Sequence, residues 1–173
     1  MRWLVVLFLF LNVNNEIIMF DKEKQSKWRV TNDDVMGGLS TSKMMLDENG
    51  VAVFSGEVST KNNGGFAMTR MRVNVVLDTE KENIVLKIKG DGKKYQLRVK
   101  ANRRDRFWYI QHFQTTGEKQ EVVLPLSRFY PSFRGYRLNL ENFSSNRIEE
   151  IAILIGNKTD EKFKLQVEKI SVR

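Results

Sequence analysis

The sequence predicts an all-β fold, a two-sheet antiparallel β-sandwich or jelly roll built as one domain over residues 19–173. Three observations carry this prediction. From Met44 onward, short runs alternate apolar with polar residues, which is the period of a half-buried strand. Turn residues punctuate those runs at spacings of roughly ten to fifteen residues, as in a sandwich of eight or so short strands. No long stretch holds a helical period, and Ser144–Glu150 allows one short helical turn at most, with Ser145 as its cap.

In chain order, Asp47-Glu48-Asn49-Gly50 makes a turn before a strand with Ala52 and Phe54 on one face and Val51, Val53 and Ser55 on the other. Ile84, Leu86 and Ile88 then alternate with Val85, Lys87 and Lys89 up to the turn Gly90-Asp91-Gly92. Tyr95, Leu97 and Val99 alternate with Gln96, Arg98 and Lys100, giving one apolar and one wet face. Further strands are expected at Phe107–Phe113, at Val122–Leu126 with a turn marked by Pro125, at Ile151–Ile155, and from Phe163 to Val172. The alternation slips after Val167, which predicts a β-bulge there. No linker, internal repeat or low-complexity segment divides residues 19–173.

A chain of 173 residues buries about two-thirds of its unfolded surface, enough for a core without staples. There is no cysteine, which excludes disulfides, thiolate metal sites and thiol nucleophiles. Lys and Arg outnumber Asp and Glu by 29 to 21, for a formal net charge of +8. Such a charge suits nucleic acid or an anionic surface, but the basic residues are scattered. Their densest run, Arg98, Lys100, Arg103, Arg104 and Arg106 ahead of Phe107, Trp108 and Tyr109, reads as a charged hairpin tip rather than a stacking platform for bases. Nucleic acid is therefore not the expected partner.

Residues 1–18 stand apart. Arg2 followed by the apolar run Trp3–Leu11 has the order of a secretory leader, and it falls short of the ~20 residues needed to span a bilayer. We read this segment as a signal peptide of an exported, periplasmic protein. The alternative is an extension ahead of a start at Met19, which would leave the protein cytoplasmic.

The segment most unusual in composition is Asp33-Asp34-Val35-Met36-Gly37-Gly38-Leu39-Ser40, in which two carboxylates precede two glycines. A second glycine pair occurs in Asn62-Asn63-Gly64-Gly65-Phe66, a third in Gly90-Asp91-Gly92, and Phe133-Arg134-Gly135 adds another turn. Asp33 and Asp34 are open to three readings: an acid–base pair, a structural cation site, or acceptors for nearby loop amides. Adjacent residues on extended backbone point to opposite sides, so the amide reading is preferred. His112, the lone histidine, shares a face with Trp108 and Ile110 and reads as structural, because without a serine or cysteine partner it makes neither a triad nor a metal site. Arg70, Arg98 and Arg134, with Tyr95, Tyr109 and Tyr136 as stacking partners, are candidates to grip a sugar, carboxylate or phosphate. Tyr109 and Gln111 are expected to extend the polar face that Gln96 and Arg98 begin. The competing reading is an ordinary solvated face with buried tyrosines.

Taken together, Asp33-Asp34-Val35-Met36-Gly37-Gly38 with Ser40, Phe54-Ser55-Gly56, Asn62-Asn63-Gly64-Gly65-Phe66, Gly90-Asp91-Gly92 with Tyr95, Leu124-Pro125-Leu126 and Phe133-Arg134-Gly135 resemble the complex I intermediate-associated protein 30 family. Their order and rough spacing hold from Phe20 to Val172. One departure is Gly117-Glu118-Lys119-Gln120, where the family pattern has a tryptophan after the glycine. The resemblance implies a galactose-binding-like jelly roll and a non-catalytic binding or assembly role in a respiratory or envelope complex, with a protein partner and no cofactor. The alternative is a carbohydrate-binding module of an exported protein, with a glycan as ligand. A monomer is expected. The candidate binding residues are Asp33, Asp34, Asn63, Arg70, Asp91, Tyr95, Arg98, Tyr109 and Arg134, and the loop-shaping glycines are Gly37, Gly38, Gly64, Gly65, Gly90, Gly92 and Gly135.

Overall fold

In the computed structural model, which describes residues 16–19, 27–78 and 82–173, every alternating run pairs as an antiparallel strand. The strands are β1 (Glu16–Met19), β2 (Arg29–Asn32), β3 (Thr41–Leu46), β4 (Ala52–Val58), β5 (Ala67–Val76), β6 (Asn83–Lys89), β7 (Lys94–Lys100), β8 (Trp108–Gln114), β9 (Lys119–Pro125), β10 (Tyr130–Phe133), β11 (Tyr136–Arg137), β12 (Arg147–Ile155) and β13 (Glu161–Val172). They form two sheets, one ordered β3-β4-β13-β6-β9 with β1 also pairing to β13, the other ordered β11-β10-β8-β7-β12-β5-β2. Strands adjacent in sequence often sit in different sheets, which is the crossing pattern of a jelly roll.

The core lies between the sheets. Ile84, Leu86 and Ile88 of β6 and Leu165 and Val167 of β13 meet Tyr95, Leu97 and Val99 of β7 and Ile151, Ile153 and Ile155 of β12, all almost fully buried. Phe54, Phe113 and Phe163 join the same cluster, with the Phe54 and Phe163 rings 4.8 Å apart. The bulge expected after Val167 is present as a register shift between Val167 and Lys169. β13 pairs along one edge with β4 through its first half and along the other with β6 through its second.

One element differs from expectation, and the turn expected at Pro125 is present. Arg147–Glu150 is the start of β12, not a turn of helix, and the Ser145 hydroxyl accepts the Arg147 amide at 3.1 Å as the chain enters the strand. A shift in the pairing to β5 between Ile148 and Glu150 breaks the alternation there. Pro125 ends β9 and passes the chain into a 3-10 turn over Leu126–Arg128. At the other end of the chain, β1 straddles the boundary placed after residue 18, while the apolar run Trp3–Leu11 lies outside the described residues. Among the described residues no helix is long and apolar enough to cross a membrane.

Candidate functional site

The glycine pairs converge on one carboxylate. Asp33 opens a 3-10 turn directly after β2 and is 1% exposed. Its Oδ1 accepts the Ser40 amide at 3.0 Å, and its Oδ2 accepts the Ser40 hydroxyl at 2.5 Å, the Gly65 amide at 2.6 Å and the Phe66 amide at 3.1 Å. Four donors from the chain's own loops thus meet this carboxylate, three on Oδ2 and one on Oδ1. Burial alone would raise the Asp33 carboxyl, but the Ser40 hydroxyl and the amides of Gly65, Phe66 and Ser40 outweigh it and hold the group below its usual value.

This arrangement explains the glycines around it. A Cβ on Gly38 would overlap the Asp33 carboxylate, and one on Gly64 would lie 2.7 Å from Asp33 Oδ2 and 2.7 Å from the Ser59 carbonyl. Gly37 is required for another reason, its φ of 87°, a left-handed conformation that side chains resist. Among the described residues no group of three or more His, Asp or Glu side chains gathers as a metal site.

Asp91 fastens a second loop at the same end of the sandwich. Its carboxylate accepts the Tyr95 hydroxyl at 3.1 and 3.2 Å and the backbone amide of Lys164 at 2.9 Å, tying the β6–β7 turn to β13. Tyr95 is wholly buried, and burial together with the Asp91 charge pushes its hydroxyl far above the usual range. Asp34 and Asn63 are exposed on neighbouring loops, Asn63 with a left-handed φ of 59°. Gly90 has no room for a Cβ against Thr115.

Arg134 belongs elsewhere. β10 meets the start of β8, with Ser132 opposite Trp108, whereas the β6–β7 turn lies by the end of β8, with Lys94 opposite Gln114. The candidate loop residues are thus divided between opposite ends. Arg134 and Gly135 form a two-residue hairpin turn with φ of 50° and 84°, the positive pair that such a turn needs, and the guanidinium lies over the Phe133 ring at 5.4 Å.

Arg70 and Arg98 lie on the outer face of the seven-stranded sheet. Register sets Arg98 opposite Ile110 and Ala152, and Gln96 opposite His112 and Leu154. Val99 faces the core opposite Tyr109, so Tyr109 and Gln111 point inward, and Tyr109 packs edge-on against Phe143 at 5.2 Å. The residues that do extend the polar face are their neighbours Trp108, Ile110 and His112. The sequence reading put aromatic and amide groups outward by polarity, whereas strand parity places the hydrophobic Ile110 there. Arg98 donates to Gln96 Oε1 at 2.9 and 2.6 Å, and burial draws its guanidinium down to about 10. His112 stacks on Tyr130 at 6.4 Å, with Nδ1 3.4 Å from its hydroxyl. Burial, then the charges of Lys94 and Arg98, lower the His112 imidazole below its usual value.

Toward the β8 start, this face opens into a cleft of about 530 Å³. Arg29 of β2 stands opposite Arg70 of β5, and Glu150 of β12 stands opposite both Arg72 of β5 and Lys100 of β7. Lys27, Arg103 and Arg104 complete the lining. The loop bearing the last two is fixed by Arg103 donating its amide to Glu149 Oε2 at 3.1 Å and Arg104 donating its own to Asn102 Oδ1 at 2.9 Å. Lys100 is buried, lies over the Trp108 ring at 4.8 Å and donates to the Asp105 carbonyl at 2.6 Å. Sequence reasoning caught Arg103 and Arg104 as part of a basic run but missed Arg29, Arg72 and Glu150, which only strand pairing brings together.

The family model described as complex I intermediate-associated protein 30 matches residues 18–167. The chain belongs to the complex I intermediate-associated protein 30 family. It is 27% identical over 179 residues to the probable mitochondrial complex I intermediate-associated protein 30 of Caenorhabditis elegans, and 27% identical over 178 residues to that of Caenorhabditis briggsae, covering 87% of this chain in each case. The chain spans about half the length of these curated relatives, 51% of each. Among solved structures, the family 11 carbohydrate-binding module of Clostridium thermocellum, in complex with a β-1,3-1,4-mixed-linked tetrasaccharide, superposes with a TM-score of 0.60 at 15% identity over 84% of this chain and 88% of that one. A solution structure of the module CtCBM11 gives 0.62 at 15% identity over 94% and 96%. These similarities establish the β-sandwich fold that this family member shares with carbohydrate-binding modules, and fold alone does not transfer a ligand.

Proposed function

We propose that the chain is a non-catalytic binding domain that serves the assembly of a larger complex, as the names of its relatives suggest, and that it receives its protein partner on the outer face of the seven-stranded sheet. The observation that carries this reading is the makeup of that face. Gln96, Arg98, His112, Trp108 and Tyr130 form a continuous, partly exposed row of planar and hydrogen-bonding groups. Aromatic and arginine side chains are the groups enriched where proteins dock. The outer face of the other sheet carries exposed charges such as Lys87, Lys119 and Glu121 beside the exposed Met45 and Val123, with Lys119 paired to Glu168 at 2.6 Å. In this reading the Asp33 and Asp91 loops hold the sheet ends in place rather than touch the partner.

The test is crosslinking in the source cells with a photoreactive residue placed at His112 or, for comparison, at Lys87. Adducts to subunits of respiratory complex I from His112, and far fewer from Lys87, are the expected result. Adducts from Lys87 alone would refute the assignment of the face. A second reading, glycan binding on the same face, draws on the fold shared with carbohydrate-binding modules. It replaces the first if a glycan array shows binding that Trp108→Ala abolishes while complex I subunits fail to crosslink.

A further inference from the structure

We propose that the cleft at the β8 start is a binding site for a polyphosphate-bearing ligand, one that presents at least two phosphate groups close together. Three observations point there. The first is charge: the described lining holds seven basic side chains and one carboxylate, Glu150, in a chain whose formal net charge is +8. Arg29 directly opposite Arg70 on paired strands is a like-charge arrangement that weakens a sheet, so a multivalent anion would relieve a cost that the fold otherwise carries.

The second is incomplete pairing. Glu150 is 6% exposed and reaches Arg70 Nη1 at 3.5 Å, but the Arg70 Nε is buried without a hydrogen-bond partner. Buried guanidinium nitrogens ordinarily find an acceptor, and the planar fork of Arg70 is suited to a phosphate bound through two nitrogens. The third is shape. The cleft lies within the size range of small-ligand pockets, and two of its walls, β5 and β7, are central strands held on both sides. Burial, reinforced by the Arg70 charge and only partly opposed by the Glu150 and Asp105 carboxylates, leaves the Lys100 ammonium below its usual value, a state that an approaching anion would reverse.

Glu150 has a part in this. It stands between Arg72 and Lys100 in register and pairs with Arg70, so a single carboxylate faces the seven basic side chains of the lining. A monoanion gains little there, because it must compete with Glu150 for Arg70. Charge density is therefore the property the cleft selects.

This inference goes beyond the partner-binding reading and can fail independently of it, because it is measured on the purified chain alone. Calorimetric titration with inorganic tripolyphosphate should show saturable binding, weakened by at least about tenfold in Arg72→Glu/Arg104→Glu and unchanged in Lys87→Glu on the other sheet. Both altered cleft residues are exposed loop or strand-face positions, and thermal melting will verify that the variants fold. Vesicles of phosphatidylcholine containing phosphatidylglycerol form the second arm. If vesicles bind, tripolyphosphate competes and the cleft variant loses both, the phosphates are those of lipid headgroups; if tripolyphosphate alone binds, the ligand is soluble. Equal binding of tripolyphosphate by the wild type and the cleft variant would overturn the proposal. So would displacement by sodium sulfate at matched ionic strength, or binding of single-stranded RNA alone with tripolyphosphate inert.

Discussion

Asp33, in the turn after β2, and Glu150, on the interior strand β12, are both buried carboxylates of the seven-stranded sheet, and their surroundings are opposite. Asp33 is saturated: four neutral donors from two loops converge on it. Glu150 is outnumbered: it pairs with Arg70 at 3.5 Å in a cleft lined by seven basic side chains. A carboxylate held by four donors of its own chain is committed to the fold. A single carboxylate among many cations leaves positive charge over for something that is not part of the chain. The family motif lies around the first and the opportunity for recognition around the second.

The largest expected effect tests the saturated site. Asp33→Ala leaves the amides of Ser40, Gly65 and Phe66 without an acceptor, and at ~1 kcal/mol or more per unpaired buried donor it should destabilise the domain by about 4 kcal/mol. Asp33→Asn keeps the shape but turns an NH2 group toward N–H donors, and about 2 kcal/mol is expected. Urea unfolding checks both. The sign with pH follows from the lowered Asp33 value. The unfolded carboxyl titrates near 4, so the contribution is complete above about pH 5 and is lost as the pH falls past 4 toward the folded value. The stability gap between wild type and Asp33→Asn should close over that interval; a gap constant down to pH 2.5 or so would show that the charge of Asp33 is not what the donors hold.

A smaller effect separates two kinds of glycine in the same motif. Gly64→Ala drives a methyl into the Asp33 oxygen and the Ser59 and Lys61 carbonyls, and backbone cannot step aside, so about 2–3 kcal/mol is expected. Gly37 has open space around its Cβ position and suffers only from its φ, so Gly37→Ala should cost about 1 kcal/mol. Thermal melting ranks the pair, and the reverse order would mean that Asp33 does not fix the positions of both loops.

The parts of the molecule that were legible in the sequence are the parts decided locally. Ile84, Leu86 and Ile88, or Tyr95, Leu97 and Val99, reveal their strand because each step of two residues returns to the same side. β5 was not visible, since Ala67, Met68 and Thr69 are buried in succession, Met68 by packing with Phe66, Trp108 and Leu154 on the outer face of the sheet, and the alternation is lost. Tyr109 was assigned to the wrong face because its polarity was followed instead of its parity. The turn at Gly117 survives without the family's tryptophan, through Gln120, which accepts the Thr116 amide at 2.6 Å. The cleft required register. Arg29, Arg72 and Arg104 are far apart in the chain, and nothing short of the pairing of β2, β5, β12 and β7 places them around Glu150.

The smallest expected effect tests the unsaturated site. Removing a cation from a surplus takes away repulsion along with whatever pairing it had, so Arg72→Glu or Arg104→Glu should shift stability by less than about 0.5 kcal/mol in either direction. At low ionic strength the shift should lean toward stabilisation, because each variant moves the net charge of +8 toward zero, and added salt should remove that advantage. Glu150→Gln is the informative contrast. It deprives Arg70 of its partner and adds one charge to a cleft already in excess, so it should destabilise most at low salt and recover as salt rises. If both cleft arginines behaved instead like Asp33, with multi-kcal losses insensitive to salt, they would be pillars of the sheet, and the division between a region that holds the fold and a region that receives a ligand would fall.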